Sequence, residues 1–173
     1  MAKNRILTEG AFTSDMRLIA DHNFEDVSLC TTQLDMVTGT TGATLTNVAG
    51  VVSDVLQPGK YKFRLQLRTV ATANTGIKLA LKWGTALMIT AQTYTAKAIT
   101  ASGLVVTDGS TATDATLLLD SASGVVILAE IEGVMTVAIA GTLQLQAAQH
   151  TGHADTTSVL LNSKMIIDRI ATN

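Results

Sequence analysis

The sequence predicts an all-β fold of two packed antiparallel sheets, preceded by an N-terminal extended arm. Three observations carry this. From Gln33 onward the texture is Thr, Ala, Val and Gly, and β-branched residues favour strands. Segments of alternating polarity recur at short spacing between clusters of Gly, Asn, Asp and Ser, the rhythm of a sandwich or barrel. No helical face of any length, no βαβ rhythm and no fixed-period repeat runs through that stretch. The 173 residues are 47 % hydrophobic and only 15 % charged, which excludes disorder for the bulk of the chain. At this size one core suffices without disulfides or a metal. Jelly rolls and immunoglobulin-like sandwiches both fit. Cys30 stands alone, so there is no disulfide framework and no Cys…Trp…Cys spacing.

The elements follow in order. Residues 1–32 read as the arm. They hold a dense mixture of charges, from Lys3, Arg5 and Glu9 to Glu25 and Asp26. Ser14 or Asp15 is placed to cap a short helix over Met16–Ala20, and Phe12, Met16 and Ile19 are roughly helically spaced. A helix that short needs tertiary support, so the arm is expected to dock on another surface; the alternative is that it packs back on its own domain. The polar start, Met-Ala-Lys-Asn-Arg, is followed by no apolar h-region, so no secretory signal is expected.

Residues 33–173 read as the sandwich domain. Candidate strands begin at Thr44–Val48 and Val51–Leu56. Gln57-Pro58-Gly59-Lys60 is a turn, since Pro followed by Gly is turn chemistry. The cleanest strand follows: Tyr61, Phe63, Leu65 and Leu67 on one face, Lys62, Arg64, Gln66 and Arg68 on the other. Period-two alternation over eight residues means one buried and one wet face. Ile77–Trp83 repeats the pattern. Leu87–Ile99, Leu104–Thr107, Thr116–Leu119, Val125–Ile131, Val134–Ile139, Leu143–Gln146, Ser158–Leu161 and Lys164–Ile170 complete the set. The apolar run Gly124–Ala140 is interrupted by Glu130 and Glu132, costly inside a bilayer, and reads as two buried strands meeting at Gly133.

Several segments resemble a known family in their order. Leu56-Gln57-Pro58-Gly59-Lys60-Tyr61-Lys62-Phe63 is followed by Glu130-Ile131-Glu132-Gly133. Then come Gly141-Thr142-Leu143-Gln144-Leu145-Gln146-Ala147-Ala148-Gln149 and Ser158-Val159-Leu160-Leu161-Asn162-Ser163. The chain from Gln33 to Ala171 is similar to the jelly-roll β-sandwich domains of tailed-bacteriophage structural proteins, related in shape to the C1q/TNF fold. His150 departs from the family pattern, which continues with a small polar residue.

The resemblance implies a virion component, not an enzyme, and no cofactor. It implies a homotrimeric capsid decoration (cement) protein on the outer surface of the head, made in the host cytoplasm and stabilising the lattice of the major capsid protein. The arm would then hold the lattice, with Ile6, Leu7, Phe12, Met16, Arg17, Ile19 and Phe24 as the contact residues. The alternative is a tail-fibre or spike tip whose loops Ala71–Thr75 and Gln149–Asp155 bind a host receptor.

Composition agrees in what it excludes. A net charge of −2 gives no basic field for nucleic acid or an anionic membrane. Catalytic and metal residues are not expected. His150, His153 and Asp155 have metal-ligand chemistry but read as a polar surface loop. Asp108-Gly109-Ser110 and Asp120-Ser121-Ala122-Ser123-Gly124 read as turns. Glu130 and Glu132 share a strand face, compatible in geometry with an acid/base pair. The plainer reading pairs them with Arg64, Arg68, Lys78 or Lys82.

Overall fold

The computed structural model describes residues 25–36, 44–71, 75–84, 89–100, 103–111, 115–121 and 126–171. They form β1 (Glu25–Leu29), β2 (Leu34–Met36), β3 (Thr46–Val52), β4 (Gly59–Val70), β5 (Ile77–Trp83), β6 (Ile89–Thr100), β7 (Gly103–Thr111), β8 (Ala115–Ser121), β9 (Val126–Val137), β10 (Leu143–Ala148), β11 (Thr157–Val159) and β12 (Lys164–Ala171). The large sheet runs β1-β12-β4-β9-β6-β7, with β11 bridging β4 and β2, and the small sheet runs β3-β10-β5-β8. Every ladder is antiparallel.

The pairing is nested. β1 pairs β12, β3 pairs β10, β4 pairs β9 and β5 pairs β8. Eight strands thus form one long hairpin rolled into two sheets, a jelly-roll-like sandwich. The β6–β7 hairpin is inserted between β5 and β8 and extends the large sheet beyond β9. Thr100 Oγ1 donates to Gly103 O at 2.8 Å across its tip, and Gly103 takes φ +134° there, open to glycine and strained for other residues.

The core lies between the sheets. Tyr61, Phe63, Leu65 and Leu67 point into it from β4, as the alternation predicts, and meet Leu79, Leu81, Leu143 and Leu145 of the small sheet in one apolar cluster. Each such side chain is worth about 1.5–3 kcal/mol relative to exposure.

Three local expectations are corrected. Gly133 is not a break: β9 runs unbroken from Val126 to Val137, and Gly133 pairs with Phe63 on one side and Tyr94 on the other. A Cβ there would collide with Thr93 O and stand 2.8 Å from the Phe63 ring. The glycine therefore serves close approach rather than a turn. Of Thr44–Val48 and Val51–Leu56, residues 46–48 and 51–52 belong to one strand, β3, bulged around Gly50 at φ +79°, and Leu56 makes only an isolated bridge to Gly141. The amide of Gln144 fills that bulge, donating to Val48 O at 2.9 Å and Val51 O at 3.0 Å. Asp108-Gly109-Ser110 lies inside β7, paired with Thr93–Thr95; turn-type residues are carried in a strand where a neighbour supplies the ladder.

β2 leaves no signature in the sequence, since its three residues are too short to show a period. Of the arm read over residues 1–32, Glu25–Leu29 forms β1 on the edge of the large sheet. The contact residues Ile6, Leu7, Phe12, Met16, Arg17, Ile19 and Phe24 lie outside the described residues, as does the helix expected over Met16–Ala20.

Cys30 closes β1 into the sandwich. Its N–H donates to Ser163 O at 2.7 Å, its side chain is 3 % exposed, and its thiol donates to Thr32 O at 3.1 Å. Burial pushes the Cys30 thiol above its ordinary pKa, and only the thiolate is nucleophilic. Cys30 is expected to resist a disulfide reagent at pH 8 in the native protein and to react fully in denaturant. A native rate equal to the denatured one would contradict this burial.

Candidate functional site

The large sheet has two unlike ends. Glu25 opens β1 opposite Asp168, which in turn stands opposite Lys62 of β4. Residues 1–24 therefore join the described chain at the end of β4 near Lys60. At the far end of β4, Val70 pairs with Ser158, eight residues beyond Lys62 and so about 27 Å from it at the rise of an extended chain.

That far end is a loop cluster built around Gln149. Its side chain is fully buried. Nε2 donates to Met36 O at 2.9 Å and to Asp155 O at 2.6 Å, and Oε1 accepts from His153 N at 3.1 Å. One amide thus ties the loop after β10 to β2. The segment before β5 joins the same cluster. Thr151 N donates to Thr75 O at 2.9 Å, and Thr157 Oγ1 lies 2.7 Å from Thr75 Oγ1. The two loops named from sequence as alternative receptor contacts, near residue 75 and at residues 149–155, are therefore brought together, although they lie far apart in the chain. Gln149 was read there as loop surface and is instead the anchor.

β2 and β11 close the cluster from the side. Asp35 Oδ1 accepts from Ser158 Oγ at 2.6 Å and from Gln33 Nε2 at 2.7 Å, and these hydrogen bonds hold the exposed Asp35 carboxyl below its ordinary pKa. His153 Nδ1 accepts from Asp155 N at 3.1 Å and stands 3.4 Å from Asp155 Oδ2. Among the described residues, no three His, Cys, Asp or Glu side chains converge as a metal site.

Glu130 and Glu132 lie on the outer face of the large sheet. Arg64 Nε is 4.0 Å from Glu132 Oε2, and Gln66 Nε2 donates to Glu130 Oε1 at 3.2 Å. Both carboxylates thus have cross-strand partners on β4. Lys78 and Lys82 belong to β5 in the other sheet, so they are not the partners. The Arg64–Glu132 pair is about half exposed and is worth no more than about 1 kcal/mol. No helix among the described residues is long and apolar enough to cross a membrane.

No protein-family model matches the chain, and no curated protein does. Among solved structures, a carbohydrate-binding module of a Cellvibrio mixtus lichenase, in complex with cellotriose, is similar at 17 % identity and a TM-score of 0.30, over 87 % of this chain and 93 % of that one. A likeness at that level is background for the β-sandwich and carries nothing about ligands.

Proposed function

We propose that this chain is a structural protein of a tailed-phage virion: a homotrimeric capsid decoration protein of C1q/TNF-like jelly-roll shape that stabilises the major capsid protein lattice on the outer surface of the head. The observation that supports it best is the two-ended build. Residues 1–24 join the sheet at one end, and the ordered loop cluster sits at the other. Such a body suits an arm that grips a surface beneath it while the loops face outward. The mechanism is mass action: a protein that binds only the assembled lattice stabilises that lattice, and three arms on one trimer act with avidity.

The test is deletion of residues 2–24. The truncated protein is expected to keep its far-ultraviolet circular dichroism and to lose co-sedimentation with capsids that the full chain decorates. Undiminished decoration by the truncated protein would overturn the arm assignment. Less than one copy per ten capsid subunits in purified virions would overturn the shell-wide role.

The second reading, a tail-fibre or spike tip, rests on the meeting of the two loops at Thr75 and Thr151. It calls for binding of the isolated protein to host cells, lost on substitution of His153 and Asp155.

A further inference from the structure

We infer that, in the free protein, residues 12–24 fold back across the end of the sandwich where β1 begins and cover an exposed apolar rim there. The inference does not rest on the virion reading.

The rim follows from register. Ala171 at the end of β12 stands opposite Lys60, and Gly59 at the start of β4 stands opposite Val137 at the end of β9. At or just past these strand ends, aliphatic side chains face solvent. Ile170 is 48 % exposed, Ile139 45 % and Val55 60 %, and Pro58 and Ala140 are exposed with them. The segments that carry Val55 and Ile139 are bonded side by side: Leu56 N donates to Gly141 O at 2.8 Å, and Gly141 N donates to Leu56 O at 3.1 Å. Ile170 flanks the other side of Pro58, where Arg169 Nη2 donates to Pro58 O at 2.8 Å. From β12 across β4 to β9 is two strand spacings, so the row is about 10 Å wide. Exposed aliphatic groups gathered at one end mark a contact surface.

The route of the chain selects the occupant. Glu25 pairs with Asp168, and β1 runs antiparallel to β12. The same register continued upstream would bring Phe24 level with Arg169 and Asn23 level with Ile170, so the chain enters β1 from the rim itself. In the segment before it, Phe12, Met16 and Ile19 are four and three positions apart, the spacing of one helical face. A helix that short is unstable alone and holds only against an apolar partner. The residues between Ala20 and Glu25 reach at most about 14 Å, enough to lay Ile19 and Met16 over a row that starts one strand away. A segment tethered this closely meets the rim at an effective concentration of about 1 mM, roughly a thousandfold above that of a second copy at micromolar concentration. The chain's own residues therefore fill the rim first.

The experiment is timed trypsin digestion of the full-length protein, read by mass spectrometry, with a synthetic peptide of residues 1–24 as the undocked reference. Both contain Arg5 and Arg17. Cleavage after Arg17 is expected to be at least about tenfold slower in the protein than in the peptide, because a docked segment is cut only when it opens. Cleavage after Arg5, outside the docked segment, is expected to match. Val55→Asp and Ile139→Asp are each expected to raise the Arg17 rate toward that of the peptide, and Leu161→Asp at the opposite end is expected to leave it unchanged. Phe12→Ser is expected to release Arg17 in the same way, and it decides the matter if a rim variant unfolds, since it leaves the sandwich untouched. Arg17 cut as fast in the protein as in the peptide, or a Phe12→Ser protein that keeps the wild-type rate, would overturn the inference. Co-expression of Ile139→Asp with Phe12→Ser separates the chain's own arm from a neighbour's. Docking within one chain leaves both arms released; recovered protection in the mixed product would give the rim to a neighbouring copy's arm and overturn the own-chain assignment.

Discussion

Gly133→Ala is expected to destabilise the protein by about 3 kcal/mol or more, a large effect for the addition of one methyl group. The reason is the row Phe63–Gly133–Tyr94 across β4, β9 and β6. The Phe63 ring lies over Gly133, and the carbonyl of Thr93 closes the other side. A side-chain neighbour can rotate away, but a carbonyl locked in a ladder moves only if the strand moves. For a chain of this length each kcal/mol lowers the melting temperature by about 2–4 °C, so a fall of roughly 6–12 °C is expected in a thermal scan. Glu132→Ala, one residue away on the outer face, is the control and is expected to stay within about 1 kcal/mol of wild type. Adding Phe63→Leu to Gly133→Ala is expected to recover little, because the Thr93 carbonyl remains. A Gly133→Ala protein as stable as the Glu132→Ala control would show that neither the Thr93 carbonyl nor the Phe63 ring closes this position.

The second large effect concerns the buried amide at the loop end. Gln149→Leu keeps the approximate volume but removes two donors and an acceptor, leaving Met36 O, Asp155 O and His153 N without their partner. Buried groups left unsatisfied cost about 1–3 kcal/mol each before the loop relaxes, so a net loss of about 2–4 kcal/mol in urea unfolding is expected. Gln149→Glu separates hydrogen bonding from shape. As a buried carboxylate facing two carbonyls it would have its pKa raised, since both burial and the carbonyls disfavour the charge. The folded state then binds a proton that the unfolded state has released, so stability relative to wild type falls as pH rises through the unfolded value toward the folded one. The Glu variant is expected to be closer to wild type at pH 4 than at pH 8, whereas the gap between the Leu variant and wild type is expected to be the same at both. A Gln149→Leu protein within 0.5 kcal/mol of wild type would mean that the loop end is not held by this side chain.

Both predictions fall on residues that the sequence alone misassigns. Gly133 looks like punctuation between two apolar runs, and Gln149 looks like the polar start of a loop. Each reading is sound as local chemistry. Both residues owe their roles to partners distant in the chain: Phe63 is 70 positions before Gly133, and Met36 is 113 before Gln149. Gln144 is a third case. It alternates with Leu143 and Leu145 as an outward polar residue should, yet its amide serves the bulge of β3, about 95 positions earlier. The candidate surfaces behave alike. The loops at Thr75 and Thr151 were each visible as loops, but nothing local places them side by side. Glu130 and Glu132 were visible as a pair, but their partners on β4 follow from register.

The class of this protein is legible in its residues alone: all-β, with a core face on β4 and β5. The turn expected at Gln57-Pro58-Gly59-Lys60 is not borne out, since Gly59 and Lys60 already pair within β4. Side-chain direction along a strand has a period of two and is set by the backbone one residue at a time, so alternation alone reports which face is apolar. Tertiary structure decided the rest: the nested pairing of β1 with β12 through β5 with β8, the insertion of the β6–β7 hairpin, the continuity of β9 through Gly133 and the burial of Gln149. Pairing is chosen by the fit of a whole face against another, and that fit depends on residues up to the length of the chain apart. Adjacent positions carry no trace of it, and it exists only once the two sheets close on a common core.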